Sequence, residues 1–223
     1  MNRNLYSGVL PALAFLWTSA AQGAGGHYIV DDAVILDKDT CHVEAWYGRG
    51  DSSNEEYVVF PACTPVNNLQ LGLAGIRFQE DGRWDTAVEF EAKTLFREPR
   101  PGSYGVGLTV IKITGDTLTR YEGTEVLVPL TMNPVEDLLL HYNLGWAYDR
   151  DDRNAGLWGI AGDYGLNERF NLIAEAYGTH RGGTELQGGL RANIPVGHVD
   201  LSYGRSRADS SDDWWVIGGV WEF

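Results

Sequence analysis

From Leu138 to Tyr148 the chain alternates without a break. Leu138, Leu140, Tyr142, Leu144, Trp146 and Tyr148 oppose Leu139, His141, Asn143, Gly145 and Ala147. A period of two residues puts successive side chains on opposite faces of a strand. The same pattern recurs along the chain. Leu69, Leu71 and Leu73 form one stripe, then Val88, Phe90 and Ala92 against Glu89, Glu91 and Lys93, then Tyr104, Val106, Leu108 and Val110. Further stripes begin at Val126, Trp158, Phe170, Leu186, Val199 and Trp215. Turn chemistry separates them at Glu80-Asp81-Gly82, Pro99 to Gly102, Asn133-Pro134, Asp149 to Asn154, Gly182-Gly183, Pro195 to Gly197 and Arg207 to Asp213. The spacing predicts an all-β, antiparallel β-barrel of twelve strands, with ten as the alternative count.

The first hairpin can be read to the residue. With its tip at Ser52, Cys41 faces Cys63, Val43 faces Pro61, Ala45 faces Val59, Tyr47 faces Tyr57 and Arg49 faces Glu55. The inner pairs are largely apolar and the rim pair is of opposite charge, as cross-strand neighbours prefer. The register predicts a Cys41–Cys63 disulfide with Cα atoms about 4.4–6.8 Å apart, and so an oxidising compartment. Two free thiols are the alternative.

The ends of the chain bear on location. Residues 1–23 read as a secretory signal peptide: Arg3, an apolar run from Val9 to Trp17, then small residues for cleavage after Ala21 or Gly23. That run is too short for a spanning helix, so a membrane form of residues 24–223 has to be a closed barrel. Residues 24–39 are expected to be a periplasmic leader that packs beneath or inside it. At the other end Trp215, Ile217, Gly219, Trp221 and Phe223 share a face. This strand resembles the closing strand of Gram-negative outer-membrane barrels. The resemblance implies that Trp221 and Phe223 act as the signal read by the barrel-assembly machinery.

Alternation does not say which face looks outward, because a soluble ligand-binding barrel has the same period. Two features favour a membrane. Tyr47, Tyr57, Trp84, Tyr104, Trp146, Tyr148, Tyr203, Trp221 and Phe223 lie near strand ends, where interfacial girdles form. Twelve strands also exceed the usual eight of a soluble barrel. The net charge of −14 argues against nucleic acid and against docking on anionic lipid, but charge in loops and lumen is compatible with a barrel. The chain is therefore expected in the outer membrane of a Gram-negative bacterium, as a monomer in contact with lipid.

Gly25 to Ala33, Thr40 to Trp46 and Pro61-Ala62-Cys63 together resemble poorly characterised proteobacterial outer-membrane proteins. More broadly, the chain is similar to the putative transporters of the MetA pathway of phenol degradation. The resemblance implies an outer-membrane barrel with a suggestion of transport, and carries over no catalytic residue.

The lumen-lining candidates are His42, Glu44, Glu89, Glu91, Lys93, His141, Asn143, Glu175, Arg191 and Asp200. Both signs occur, with acid in excess, as suits a narrow channel for a small solute that favours cations. A plugged, non-transporting structural or surface-interaction barrel is the alternative, and an outer-membrane hydrolase a more distant one. No enzyme is expected: there is no Ser–His pair on the lipid side, and Asp151, Asp152 and His180 read as a solvated loop set. No cofactor is implied. His27, Asp31 and Asp32 could hold a cation at the periplasmic mouth but lack a recognised ligand spacing, so no metal is expected.

Overall fold

The computed structural model describes residues 27–50, 54–80, 82–115, 118, 121–150, 153–207 and 213–223. The expected signal peptide, and the acidic pair Asp151–Asp152, lie outside them. Twelve strands follow one another in chain order. They are β1 (Cys41–Gly50), β2 (Glu55–Val66), β3 (Leu69–Glu80), β4 (Arg83–Arg97), β5 (Tyr104–Thr114) and β6 (Tyr121–Val135), then β7 (Leu138–Asp149), β8 (Asn154–Asn167), β9 (Phe170–Thr179), β10 (Thr184–Ile194), β11 (Gly197–Ser206) and β12 (Asp213–Glu222). Each pairs antiparallel with the next, and β12 pairs with β1 to close the barrel. Closure leaves no sheet edge with unpaired backbone groups.

The even strand number brings the start of β1 and the end of β12 to one end of the barrel, here called the near end. There Cys41 N–H donates to the Phe223 carbonyl and Phe223 N–H to the Cys41 carbonyl, each at 2.9 Å. The first hairpin has the expected register, from Cys41 opposite Cys63 to Arg49 opposite Glu55. Cys41 and Cys63 form a disulfide. Their Cα atoms are 4.1 Å apart, below the expected window. Cys41 spends its backbone hydrogen bonds on Phe223, so toward β2 it belongs to a non-hydrogen-bonded pair, the closer of the two antiparallel pair types.

The two faces differ in chemistry. Along β7, Leu144 is 69% exposed while Asn143 beside it is 5% exposed. Val59, Leu73, Phe90, Leu172, Leu201 and Ile217 likewise lie exposed on the outside. Near the far end the outer surface carries a run of touching rings. Trp215 meets Tyr47 at 5.3 Å, Tyr47 meets Tyr57 at 4.8 Å, and Tyr57 meets Trp84 at 5.9 Å between centroids. Arg77 lies over Trp84 at 4.7 Å, a cation–π contact.

Inside, two kinds of wall face each other. The inward positions from β12 through β3 are largely apolar: Trp46, Val58, Phe60, Ala74, Trp214 and Val216 form one cluster, joined by Tyr177 and Ala161. A smaller cluster pairs Ile111 with Leu127. The inward positions around the rest of the barrel carry Lys93, Thr109, Thr131, Asn143, Glu175 and Arg191, all buried.

Candidate functional site

A segment running from His27 to Leu36 lies inside the barrel, between those walls, and its main-chain groups are met by barrel side chains. A short connection accounts for its position. Thr40 N–H and its hydroxyl both donate to the Asp37 carbonyl, and Asp39 N–H donates to the Thr64 carbonyl. Asp39 adopts a positive φ of 64°, a conformation Asp tolerates better than most residues. The chain thus reverses at the near end and turns back into the lumen ahead of β1.

Inside, five amides of this leader find acceptors on barrel side chains. Leu36 N–H donates to Gln70 Oε1 at 3.1 Å and Ala33 N–H to Thr131 Oγ1 at 2.7 Å. Asp31 N–H donates to Asn143 Oδ1 at 2.6 Å, and Asn143 Nδ2 returns a bond to the Asp31 carbonyl at 2.7 Å. The Glu175 carboxylate accepts from two successive amides, Ile29 at 3.1 Å and Val30 at 3.0 Å. Buried amides need partners because leaving one unmet costs about 1–3 kcal/mol. Thr109, Asn143, Glu175 and Ser202 sit near the middle of β5, β7, β9 and β11, so the leader crosses the lumen near its waist.

The leader's carboxylates are held too. Lys93 Nζ donates to Asp31 Oδ1 at 2.7 Å and to Asp32 Oδ1 at 2.9 Å, and the Thr109 hydroxyl donates to Asp31 Oδ2 at 2.7 Å. Both charged partners of the Lys93–Asp31 pair are almost fully buried. Charge-assisted bonds of this kind are about twice as strong as neutral ones. At the tip of the leader His27 Nε2 meets Ser202 Oγ at 2.6 Å. Burial holds the His27 imidazole down to about 4, so that contact joins neutral groups near pH 7. Gln187 donates to Ser202 Oγ and accepts from Trp214 Nε1, each at 3.0 Å. This chain of bonds ties the leader to the apolar wall.

Apolar packing completes the fit. Val30 joins the cluster of Trp46 and Phe60, with Ile29 against it. The wall is thinned to admit the leader: a Cβ on Gly159 would stand 2.7 Å from Val30 Cγ2, and one on Gly189 2.5 Å from the Tyr28 hydroxyl. Arg191, paired with Asp200 through two bonds of 2.9 Å, places its guanidinium 5.8 Å from the centre of the Tyr28 ring.

The ten lumen-lining candidates are all buried, but they do not converge on one point. Lys93, Asn143 and Glu175 bind the leader directly. His141 Nδ1 lies 2.9 Å from the Thr131 hydroxyl that holds Ala33. His42 and Glu44 contact each other at 3.2 Å on β1, and Arg191 with Asp200 forms a separate pair. Glu89 and Glu91 lie buried on β4 beside Lys93. His27 is held by Ser202 and the two aspartates by Lys93, so these three do not meet as a ligand set. Among the described residues no group of three could hold a metal ion. His180 accepts from Gly156 N–H at 2.7 Å and stacks on Trp146 at 5.9 Å, a structural role. Sequence reasoning missed Thr109, Thr131, Gln70 and Ser202, which carry no pattern beyond being small and polar on strands. It also missed the apolar inner wall. The clue there was Val58-Val59-Phe60, apolar on both faces of β2.

A family described as "uncharacterised conserved protein UCP029691" matches residues 12–223. No curated protein matches the sequence. Among solved structures the barrel is similar to the KdgM porin, with a TM-score of 0.68, 10% identity, and 82% of this chain and 99% of that chain covered. It is similar to the NanC porin at 0.64 and 14% identity, covering 80% and 98%. It is also similar to the COG4313 outer membrane channel from Pseudomonas putida F1, at 0.64 and 11% identity, covering 86% and 98%. At such identities the likeness is one of fold: a closed twelve-stranded barrel resembling outer-membrane, porin-like channels.

Proposed function

The chain belongs to the uncharacterised conserved family UCP029691, and on that footing we propose that it is an outer-membrane channel for a small solute, closed here by its own leader. The observation that carries the reading is the attachment of the leader across the waist. The hydrogen bonds described between the barrel and the backbone of residues 29–36 all run to barrel side chains, so that stretch can leave without unpairing two barrel strands. The apolar outer face with its aromatic run supports a lipid setting. Phe223, exposed at the near end, is well placed to be read by assembly machinery as the barrel is inserted. That end then faces the periplasm.

The inner surface favours cations. Glu44, Glu89, Glu91, Glu125, Asp163 and Glu175 outweigh Lys93 and Arg191, and a ring of acids raises the local cation concentration. The KdgM porin has been captured with oligogalacturonate. Away from Lys93, which holds a pair of carboxylates, the excess of acid in the interior disfavours a long polycarboxylate as cargo here.

A second reading, a structural barrel that passes nothing, draws on the apolar cluster around Trp46, Phe60 and Trp214, which fills part of the lumen. Single-channel recording in planar bilayers separates the two. The full chain is expected to be closed or to open briefly, and Lys93→Met, which unfastens the leader, to open it with a preference for potassium over chloride. A Lys93→Met barrel that folds and passes no current would leave the structural reading in place.

A further inference from the structure

We infer that the lumen is a binding site for a bent peptide segment carrying two adjacent carboxylates, a site that residues 27–36 fill from within and that the same peptide can fill as a separate molecule. The inference rests on the leader being a removable plug, and it names what the vacated site recognises. Three features make this a receptor surface and not a passive cleft.

First, recognition is mutual and local. Asn143 reads both the amide and the carbonyl of one residue, Asp31. Glu175 reads the next two amides toward the tip, those of Val30 and Ile29. The division of labour is that of peptide recognition generally: main-chain bonds give affinity and pockets give specificity.

Second, the pockets have a defined chemistry. Lys93 and Thr109 together satisfy the Asp31 carboxylate, and Lys93 reaches Asp32 as well. Neutral side chains at these two positions would leave the buried ammonium of Lys93 without its partners, which penalises other sequences strongly. Val30 enters a recess floored by Gly159.

Third, nothing in the site depends on the covalent link to β1. The bonds that fix the reversal at Asp37–Thr40 are made to Thr64 and within the turn, apart from those that hold residues 27–36. Cutting the link leaves the docking contacts whole.

The test uses the full chain, folded in detergent, with a site-specific protease sequence inserted between Lys38 and Asp39, where both side chains are exposed. After cleavage a fluorescein-labelled peptide of residues 27–36 is titrated and its anisotropy followed. Saturable binding, or exchange with a leader that has stayed bound, is expected. Uncut barrel should take up at least about tenfold less probe. Replacing both aspartates of the probe by asparagine, or carrying Lys93→Met in the barrel, should each weaken binding by at least about tenfold. Heat-modifiable migration of every variant verifies that the barrel is intact. No uptake by cut barrel, or uptake indifferent to both charge changes, overturns the inference. Conductance of the same cut barrel is read separately. Peptide binding without current would overturn the channel and leave the peptide site standing. Current that added peptide neither blocks nor binds would do the reverse.

Discussion

The two walls of the lumen are made from the same strand pattern and do different work. From β12 to β3 the inward side chains pack on one another, and Trp46, Phe60 and Trp214 would be at home in a soluble core. From β4 to β7 and from β9 to β11 several polar inward side chains reach instead for the leader, while Ile111 packs on Leu127 and Arg191 pairs with Asp200. The first wall is satisfied largely by its own neighbours, with Gln70 and the packing of Val30 as its links to the leader. The second is completed by a segment far away in sequence: Val30 is bound by Glu175, Asp31 by Asn143 and Ala33 by Thr131. A barrel can therefore be rigid on one side and hold a detachable element on the other.

The largest effects are expected from one substitution in each wall. Lys93→Met takes the ammonium from a buried carboxylate, Asp31, and from the half-buried Asp32, and breaking such a buried pair costs about 3–5 kcal/mol. The loss should fall on leader docking, seen as faster hydrogen exchange at Val30, Asp31 and Ala33 by two orders of magnitude or more, with the melting of the barrel nearly unchanged. Phe60→Ala should do the opposite. A cavity of that kind costs about 3–5 kcal/mol, and it should lower the thermal midpoint of the barrel while leaving the exchange of Ala33 largely as it was. If both variants act on both readouts alike, the division into two walls fails.

A smaller effect is expected from Cys41→Ser with Cys63→Ser. Disulfides typically contribute about 2–4 kcal/mol, and this one duplicates a hairpin that strand pairing already closes, so about 2 kcal/mol is expected in global unfolding. Leader exchange should not follow. The least effect belongs to Thr131→Val, which removes the acceptor of the Ala33 amide and should weaken docking by about 1 kcal/mol. A thermal shift in the barrel without faster exchange at Ala33 would place Thr131 in the wall and not in the docking site.

How much of this could be read in advance differs between the walls in an instructive way. Strand periodicity reports which face a residue lies on, so the register from Cys41–Cys63 to Arg49–Glu55, and the burial of Glu89 beside exposed Phe90, were legible. Periodicity says nothing about what lies across a lumen. Trp46 and Trp214 stand on strands joined at the closing seam, and their packing depends on closure, which is a property of the whole sheet. The leader is less legible still. Its bonds join main-chain amides to side chains 34 to 146 residues away, and an amide carries no mark in the sequence. The carboxylates of Asp31 and Asp32 were visible as chemistry. Their partner Lys93 was visible only as one more inward position on β4.

The short reversal at Asp37–Thr40 has a further consequence. A plug joined to its socket by a few residues behaves as a ligand at an effective concentration on the order of millimolar. A free peptide at micromolar levels competes poorly against that, however well it fits. Closure by the leader is also unimolecular, so it is indifferent to how densely the protein populates its membrane. Signals that change the docking free energy itself, such as neutralising a carboxylate or pulling on the link, shift the balance directly, whereas dilution and crowding leave it untouched.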